Sequence, residues 1–268
     1  MKKKQKVFNR FMKRDDARIY VLGYKPAPMP DNSLYTPLEV GYALHSRHFA
    51  QSDATGDNIS ALNAAYCELT GTYWIWKNRP TTLKWVGQCQ YSKLIKLPQD
   101  TDFERIFAEY NAISVPWSCV DDDNNPKSLR RQFCGWHPQE WLDNVEDIIK
   151  TDYPEYAEAW DKYINNPEEN TIYASAGYIL KAEDYDRWCE LIFGICDKFL
   201  QRYGGTVESM HKIFFEKLQS GEYFNRFIGR EGFYFGLVFG FLAERIFTMW
   251  IRNLGKIMNL KYEYSQRV

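Results

Sequence analysis

Apolar side chains at Leu62, Ala65, Tyr66, Leu69, Tyr73 and Trp76 recur at helical spacing, with Ser60 placed to cap the start and Lys77-Asn78-Arg79-Pro80 to stop the run. That pattern predicts one continuous helix from residue 60. Trp141, Leu142, Val145, Ile148 and Ile149 predict a second helix, and Tyr156, Ala157, Trp160 and Ile164 a third. A longer amphipathic helix is expected where Tyr185, Trp188, Cys189, Ile192, Phe193, Cys196, Phe199 and Leu200 share a face, ending at Gly204-Gly205. Elsewhere the period shortens. Arg18-Ile19-Tyr20-Val21-Leu22-Gly23 reads as a first strand that runs out at glycine before Lys25-Pro26. Residues 83–97 read as one or two strands, 103–110 as a helix, 112–115 as a strand and 171–180 as the last strand. Strands alternating with helices predict an α/β fold with a mostly parallel sheet flanked by helices. Beyond Pro116 a turn-rich acidic loop, Asp121-Asp122-Asp123-Asn124-Asn125-Pro126, opens a helix-rich C-terminal half. One domain over residues 18–268, preceded by a basic tail at 1–17, is the expected organisation.

Charge and composition narrow the partners. A formal net charge of −1 over 268 residues provides no global field to draw nucleic acid or acidic lipid. No basic, aromatic-rich platform follows the tail, so no nucleic-acid partner is expected. Within the tail, Lys2, Lys3, Lys4, Lys6, Arg10, Lys13 and Arg14 interleave with Val7, Phe8, Phe11 and Met12. Such a segment either lies on an anionic membrane surface or stays solvated. The same charges rule out a signal-like apolar core there, and the six cysteines form no C-x-x-C pair, so a reducing, cytoplasmic setting is expected. The apolar run at 233–251 carries Glu244 and Arg245, which favours a buried core helix over a membrane span. Aromatic residues make up 17% of the chain. That excess suits stacking on sugars or nucleobases and equally suits a large core or an interface.

The chain contains no G-x-S-x-G, P-loop, H-E-x-x-H or G-x-G-x-x-G. In open α/β sheets ligands gather at the carboxyl ends of strands, which places Gly23, Tyr24 and Lys25 where a nucleotide would sit. The polar loop Thr55-Gly56-Asp57-Asn58, just before the residue-60 helix, either offers backbone N–H groups to phosphate or sugar hydroxyls or simply caps the helix. Asp121 to Asp123 reads as a solvated turn or as a displaced metal site.

Several blocks together carry a family resemblance: residues 19–25, Tyr35-Thr36-Pro37-Leu38-Glu39-Val40-Gly41, residues 55–60, Tyr66-Cys67-Glu68-Leu69-Thr70, Tyr73-Trp74-Ile75-Trp76-Lys77-Asn78, Val86-Gly87, Tyr153-Pro154-Glu155-Tyr156, Ile179-Leu180-Lys181 and residues 238–245. In this order they resemble a bacterial family of capsular and exopolysaccharide glycosyltransferases, many of whose members carry the label of a domain of unknown function. The resemblance implies a GT-A-like fold, with residues 18–116 as the nucleotide-binding half and 117–268 as the acceptor half. It also implies a nucleotide-diphosphate donor such as a UDP-sugar, in some relatives transfer of galactofuranose, and a glycan or lipid-linked glycan acceptor. On that basis Gly23, Tyr24, Lys25, Thr55, Gly56, Asp57, Asn58, Tyr66, Gln90 and Tyr91 are expected to bind the donor. Glu244 and Glu68 are the candidate general bases and Lys93 the cation at the leaving diphosphate.

Two departures from the family pattern matter. Where relatives carry His-Tyr-Arg-Arg this chain has Gln90, Tyr91, Ser92 and Lys93, and Ala176 stands where relatives carry Asn. Most GT-A enzymes place a metal-binding Asp-x-Asp near the first of these positions; none is present, so no metal cofactor is expected, and Lys93, with Lys25 or Arg79, is left to neutralise the diphosphate. Glu244 beside Arg245 can also be a purely structural pair. The alternative function is a non-catalytic, degenerate glycosyltransferase-fold subunit of a polysaccharide assembly complex. His45, His48 and His137 are assigned no role.

Overall fold

Alternation is plain in the first strand: Ile19 and Val21 face one side, Tyr20 and Leu22 the other, and none is more than 2% exposed. A strand buried on both faces belongs at the centre of a covered sheet. The computed structural model, which describes residues 14–45, 48–121, 123–223 and 236–264, places it there. In chain order the strands are β1 (Ala17–Gly23), β2 (Tyr35–Glu39), β3 (Gln51–Ser52), β4 (Trp85–Gln90), β5 (Lys93–Leu94), β6 (Ala112–Ser118), β7 (Thr171–Lys181), β8 (Ile257–Asn259) and β9 (Glu263–Tyr264). The spatial order is β3-β2-β1-β4-β7-β6-β8. Four of the six pairings along that path are parallel; β7 runs antiparallel to β4 and to β6. β5 and β9 add a short antiparallel ribbon beyond β4.

Helices cover both faces: α1 (Asn63–Tyr66), α2 (Leu69–Asn78), α3 (Phe103–Glu109), α4 (Leu129–Cys134), α5 (Gln139–Asp152), α6 (Ala157–Trp160), α7 (Ala182–Arg202), α8 (Val207–Gln219) and α9 (Val238–Leu254). On one face α3 lays Phe103 and Phe107 against Trp85, with Ile19, Val21, Ile113 and Ile179 in the same cluster. The larger core lies on the other face, where α2, α5, α7 and α9 meet. Trp141, Trp160, Trp188, Phe199, Phe214, Phe239 and Phe247 are fully buried there. Each such phenylalanine stabilises the fold by about 1.5–3 kcal/mol relative to exposure. Much of the aromatic excess is thus core filling.

The expected α/β sheet with a helical C-terminal half is present, and three local expectations fail. First, 171–180 is not the last strand, since β8 and β9 follow; at three and two residues they are too short to show alternation. Second, Ser60 does not cap the helix that follows it. Its hydroxyl is hydrogen-bonded to the Asp53 carboxylate and accepts from the Ala43 N–H at 3.1 Å. Third, the continuous helix from residue 60 is broken at Cys67, which has φ 51° and ψ −130°. The break is held by Asn63, whose Nδ2 donates to the Cys67 carbonyl at 2.7 Å and to Thr70 Oγ1 at 3.0 Å. It separates α1 from α2 and turns Glu68 toward the carboxyl ends of the strands. The basic tail through residue 13, residues 233–235 and Asp122 lie outside the described residues.

Candidate active site

A cavity of about 710 Å³ opens where the parallel strands end. Gly23 closes β1, Val40 and Gly41 follow β2, and Gln90 and Tyr91 leave β4; all five line it. A second wall comes from Ala174, Ser175 and Ala176 of β7, and a third from Gly240, Phe241 and Glu244 of α9. Close approach requires glycine at two places. A Cβ on Gly240 would stand 2.7 Å from Cys67 Sγ, so only glycine lets α9 pack on the α1–α2 break. A Cβ on Gly177 would stand 1.9 Å from the hydroxyl of Tyr262, which lines the cavity beyond β8.

Three charged groups meet in this space. Glu68 accepts a hydrogen bond from Gln90 Nε2 at 2.5 Å. Glu244, with 32% of its side chain still exposed, accepts from Arg245 Nη1 at 2.8 Å. Lys93 stands at the start of β5. Burial raises the Glu244 pKa; the positive charges of Arg245 and then Lys93 pull it down, and the nearby Glu68 pushes it up again. Arg245 is itself only 3% exposed, donates to the Phe241 carbonyl at 3.2 Å, is hydrogen-bonded to Gln132 and lies 5.2 Å from the Phe133 ring. A carboxylate with a raised pKa beside a lysine can accept a proton while the lysine faces developing negative charge.

Of the residues expected from sequence, Gly23, Tyr24, Glu68, Gln90, Tyr91, Lys93 and Glu244 come together around this cavity, as does Ala176. Lys25 sits beside the group, its Nζ 5.8 Å from the Tyr91 ring, which Tyr24 meets edge-on at 5.4 Å. The loop of Thr55, Gly56, Asp57 and Asn58 is elsewhere. It is pinned to the far end of α2, where Asn78 donates to the Asp57 carbonyl at 2.7 Å and Trp74 Nε1 to the Thr55 carbonyl at 2.9 Å. Tyr66 is core, 3% exposed and 4.5 Å from the Phe239 ring. Arg79 is bound to Asp186 at 2.7 Å and packs on Tyr185, so it cannot serve the cavity. Asp121 accepts from the N–H groups of Asp123 at 3.0 Å and Asn125 at 2.8 Å, as a turn residue does.

Other residues carry no advance signal in the sequence. Asp53, fully buried, accepts from the Gly41 N–H at 2.9 Å, the Tyr42 N–H at 3.1 Å and Thr70 Oγ1 at 2.7 Å, besides Ser60. It fixes the turn after β2 in which Gly41 takes φ 67°. Glu39, also buried, accepts from the Phe49 N–H at 2.8 Å and lies 3.5 Å from His45 Nδ1; His45, given no role above, lines the cavity. Trp117 and Tyr262 line it too. His137, half-buried, stacks on Phe241; desolvation and then the Arg245 charge lower its pKa to about 3, so it is neutral at ordinary pH.

The fold is that of a glycosyltransferase of known structure: the bifunctional glycosyltransferase WbbM in its apo form is similar to this chain with a TM-score of 0.69 and 20% identity. The match covers 94% of this chain and 46% of that one, so the chain spans under half the length of that protein. The chain belongs to the family described as a domain of unknown function, DUF4422, whose pattern matches residues 18–212. No curated protein matches it.

Proposed function

We propose that the chain is a glycosyltransferase that moves a sugar from a nucleotide-diphosphate donor, a UDP-sugar, to a growing surface glycan, with galactofuranose as the sugar to test first. The observation that carries the reading is the meeting of Glu244, Glu68 and Lys93 in one cavity at the carboxyl ends of β1, β2 and β4. At about 710 Å³ the cavity falls within the roughly 300–1,000 Å³ of small-molecule sites. Its rings, Tyr24, Tyr91 and Phe241, suit the faces of a base or a sugar. The likeness in fold to a glycosyltransferase adds support.

In the proposed reaction the Glu244 carboxylate takes the proton of the acceptor hydroxyl. That oxygen bonds to the anomeric carbon, and the bond from carbon to the phosphate oxygen breaks with its electron pair leaving on the nucleoside diphosphate. Lys93 faces the charge that develops there. Glu68, hydrogen-bonded to Gln90, holds the donor sugar. Among the described residues, no three His, Cys, Asp or Glu side chains come together as a metal site, and the proposed reaction runs on Lys93 without metal. Among the same residues no helix is long and apolar enough to cross a membrane. The reading places the protein in the cytoplasm, held peripherally on anionic membrane by the basic tail. Incubation with UDP-galactofuranose and a panel of other nucleotide sugars, followed by assay of nucleoside diphosphate release, tests the reaction. Stabilisation by a donor with no release under any acceptor condition would favour the non-catalytic subunit instead.

A further inference from the structure

A second, smaller groove of about 310 Å³ lies beyond Trp117. Trp117 lines both spaces, so the groove neighbours the cavity across that indole. Its other walls are Ser118 of β6, Thr171 and Tyr173 of β7, Arg252 of α9 and Asn259 of β8. Glu244, Thr248 and Arg252 follow one another at intervals of four on α9, which puts them on one helical face. Thr248 locks that face to the sheet, accepting from the Tyr173 N–H at 2.9 Å. Arg252 lies eight positions after Glu244 on the helix, about 12 Å along the axis at 1.5 Å per residue. That distance is the reach of a short oligosaccharide.

The chemistry of the groove selects its occupant. Arg252 is neutralised and immobilised by Glu169, with contacts of 2.6 and 3.1 Å, and stacks 4.0 Å from the Tyr163 ring. Its charge is therefore balanced, and a phosphate or an acidic peptide gains little there, while its remaining N–H donors are held in a fixed fork. The Tyr173 hydroxyl donates to Asn259 Oδ1 at 3.1 Å, which orients the Asn259 amide and leaves its two N–H donors and the Tyr173 oxygen for a ligand. Ser118 and Thr171 add hydroxyls, and Trp117 adds an aromatic face. Preset planar donors, hydroxyls and an indole without net charge match a neutral polyol.

The geometry points to this groove as an acceptor subsite that binds neutral hexose units of the growing glycan, one short oligosaccharide's length from the sugar that receives the transfer. The assignment rests on the transferase reading for the word acceptor, and on the groove alone for the binding of neutral glycan.

The test is a glycan array of neutral hexose oligosaccharides, followed by calorimetric titration of the best-retained tetrasaccharide and of the disaccharide from its transferred end. The tetrasaccharide should bind about tenfold more tightly, and Asn259→Ala should remove that gain while the disaccharide is unaffected. Ser118→Trp, which fills the groove from an exposed strand position, should do the same and serves if Asn259→Ala does not fold. Retention of no neutral glycan overturns the subsite. So does an Asn259→Ala effect that is equal for both lengths or absent for both. Nucleoside diphosphate release is followed on the parent protein in parallel. A protein that binds the tetrasaccharide through Asn259 but releases no nucleoside diphosphate from any donor overturns the transferase reading, whereas one that releases it and shows no length dependence overturns the groove.

Discussion

Arg245 Nη1 donates to Glu244 Oε2 at 2.8 Å, so a guanidinium that solvent scarcely reaches fixes the carboxylate that faces the cavity. Burial raises the Glu244 pKa more than Arg245 and Lys93 lower it. A base must be ionised to work, so transfer should rise with pH through a pKa above the ordinary glutamate value of about 4.3. Glu244→Gln should cost on the order of 10²- to 10⁴-fold in turnover. Stability runs the other way. A carboxyl whose folded pKa is raised favours the folded state most at low pH, and that contribution is lost as pH rises from the unfolded value through the folded one. Glu244→Gln should therefore unfold at a higher temperature than the parent at neutral pH, with the gap closing in acid. Melting curves of both proteins across pH check this, and a less stable variant at neutral pH would mean that Arg245 outweighs burial.

Cys67, at φ 51° and ψ −130°, occupies backbone space that glycine enters freely and other residues enter at a cost of about 1–3 kcal/mol. Cys67→Ala and Cys67→Gly both delete the sulfur that lies over Gly240 and differ mainly in backbone freedom. The glycine variant should be the more stable of the two by about 1–2 kcal/mol in urea denaturation. Equal stabilities would show that the break carries no strain.

What the sequence made legible follows from how local each cause is. The strand of Ile19 to Leu22 and the buried stripe of α7 are periodic within themselves, and both stand as expected. The rule about strand ends places Gly23 and Tyr24, the family resemblance places Gln90, Tyr91 and Lys93, and Glu244 stands out as a carboxylate beside Arg245 on an otherwise apolar helix; these reach the cavity, as does Glu68 on the helix after the Thr55 loop. The break at Cys67 is set by Asn63 and by Gly240, which is remote in sequence, so helical spacing runs straight through it. The position of the Thr55 loop is likewise decided by Asn78 at the other end of α2. Nothing in the composition of Asp53 or Glu39 marks them as buried, since only the folded chain supplies the N–H groups they accept.

Asp53 and Asp57 make a direct contrast four residues apart. Asp53 gathers the turn after β2 and the α1–α2 break through Gly41, Tyr42, Ser60 and Thr70. Asp57 is exposed, with its side chain on the Tyr73 hydroxyl at 3.2 Å. Asp53→Ala should destabilise the protein by about 1–3 kcal/mol or more, because it leaves several buried neutral donors unsatisfied, and weaken donor binding by disordering the cavity rim. Asp57→Ala should change stability by less than about 0.5 kcal/mol and leave donor affinity as it was. Loss of donor binding in folded Asp57→Ala would return the Thr55 loop to the site.

The strongest chemical demand falls on Lys93. Glu68 and Glu244 are the acidic groups lining the cavity among the described residues, one held by Gln90 and the other by Arg245. Two carboxylates so engaged make a poor nest for a hard divalent cation, which takes several oxygen ligands. Transfer should therefore survive EDTA. With lysine acting as a point charge without the paired donors of arginine, Lys93→Ala should slow nucleoside diphosphate release by roughly ten- to a thousandfold, equivalent to about 1.4–4 kcal/mol at the departing phosphate. Lys93→Arg should retain most of the rate, because the charge persists and the guanidinium offers two parallel N–H donors to a phosphate. Release measured in EDTA, then with Mn²⁺ or Mg²⁺ restored, decides the matter: activity that vanishes with the chelator and returns only with metal would remove Lys93 from its role.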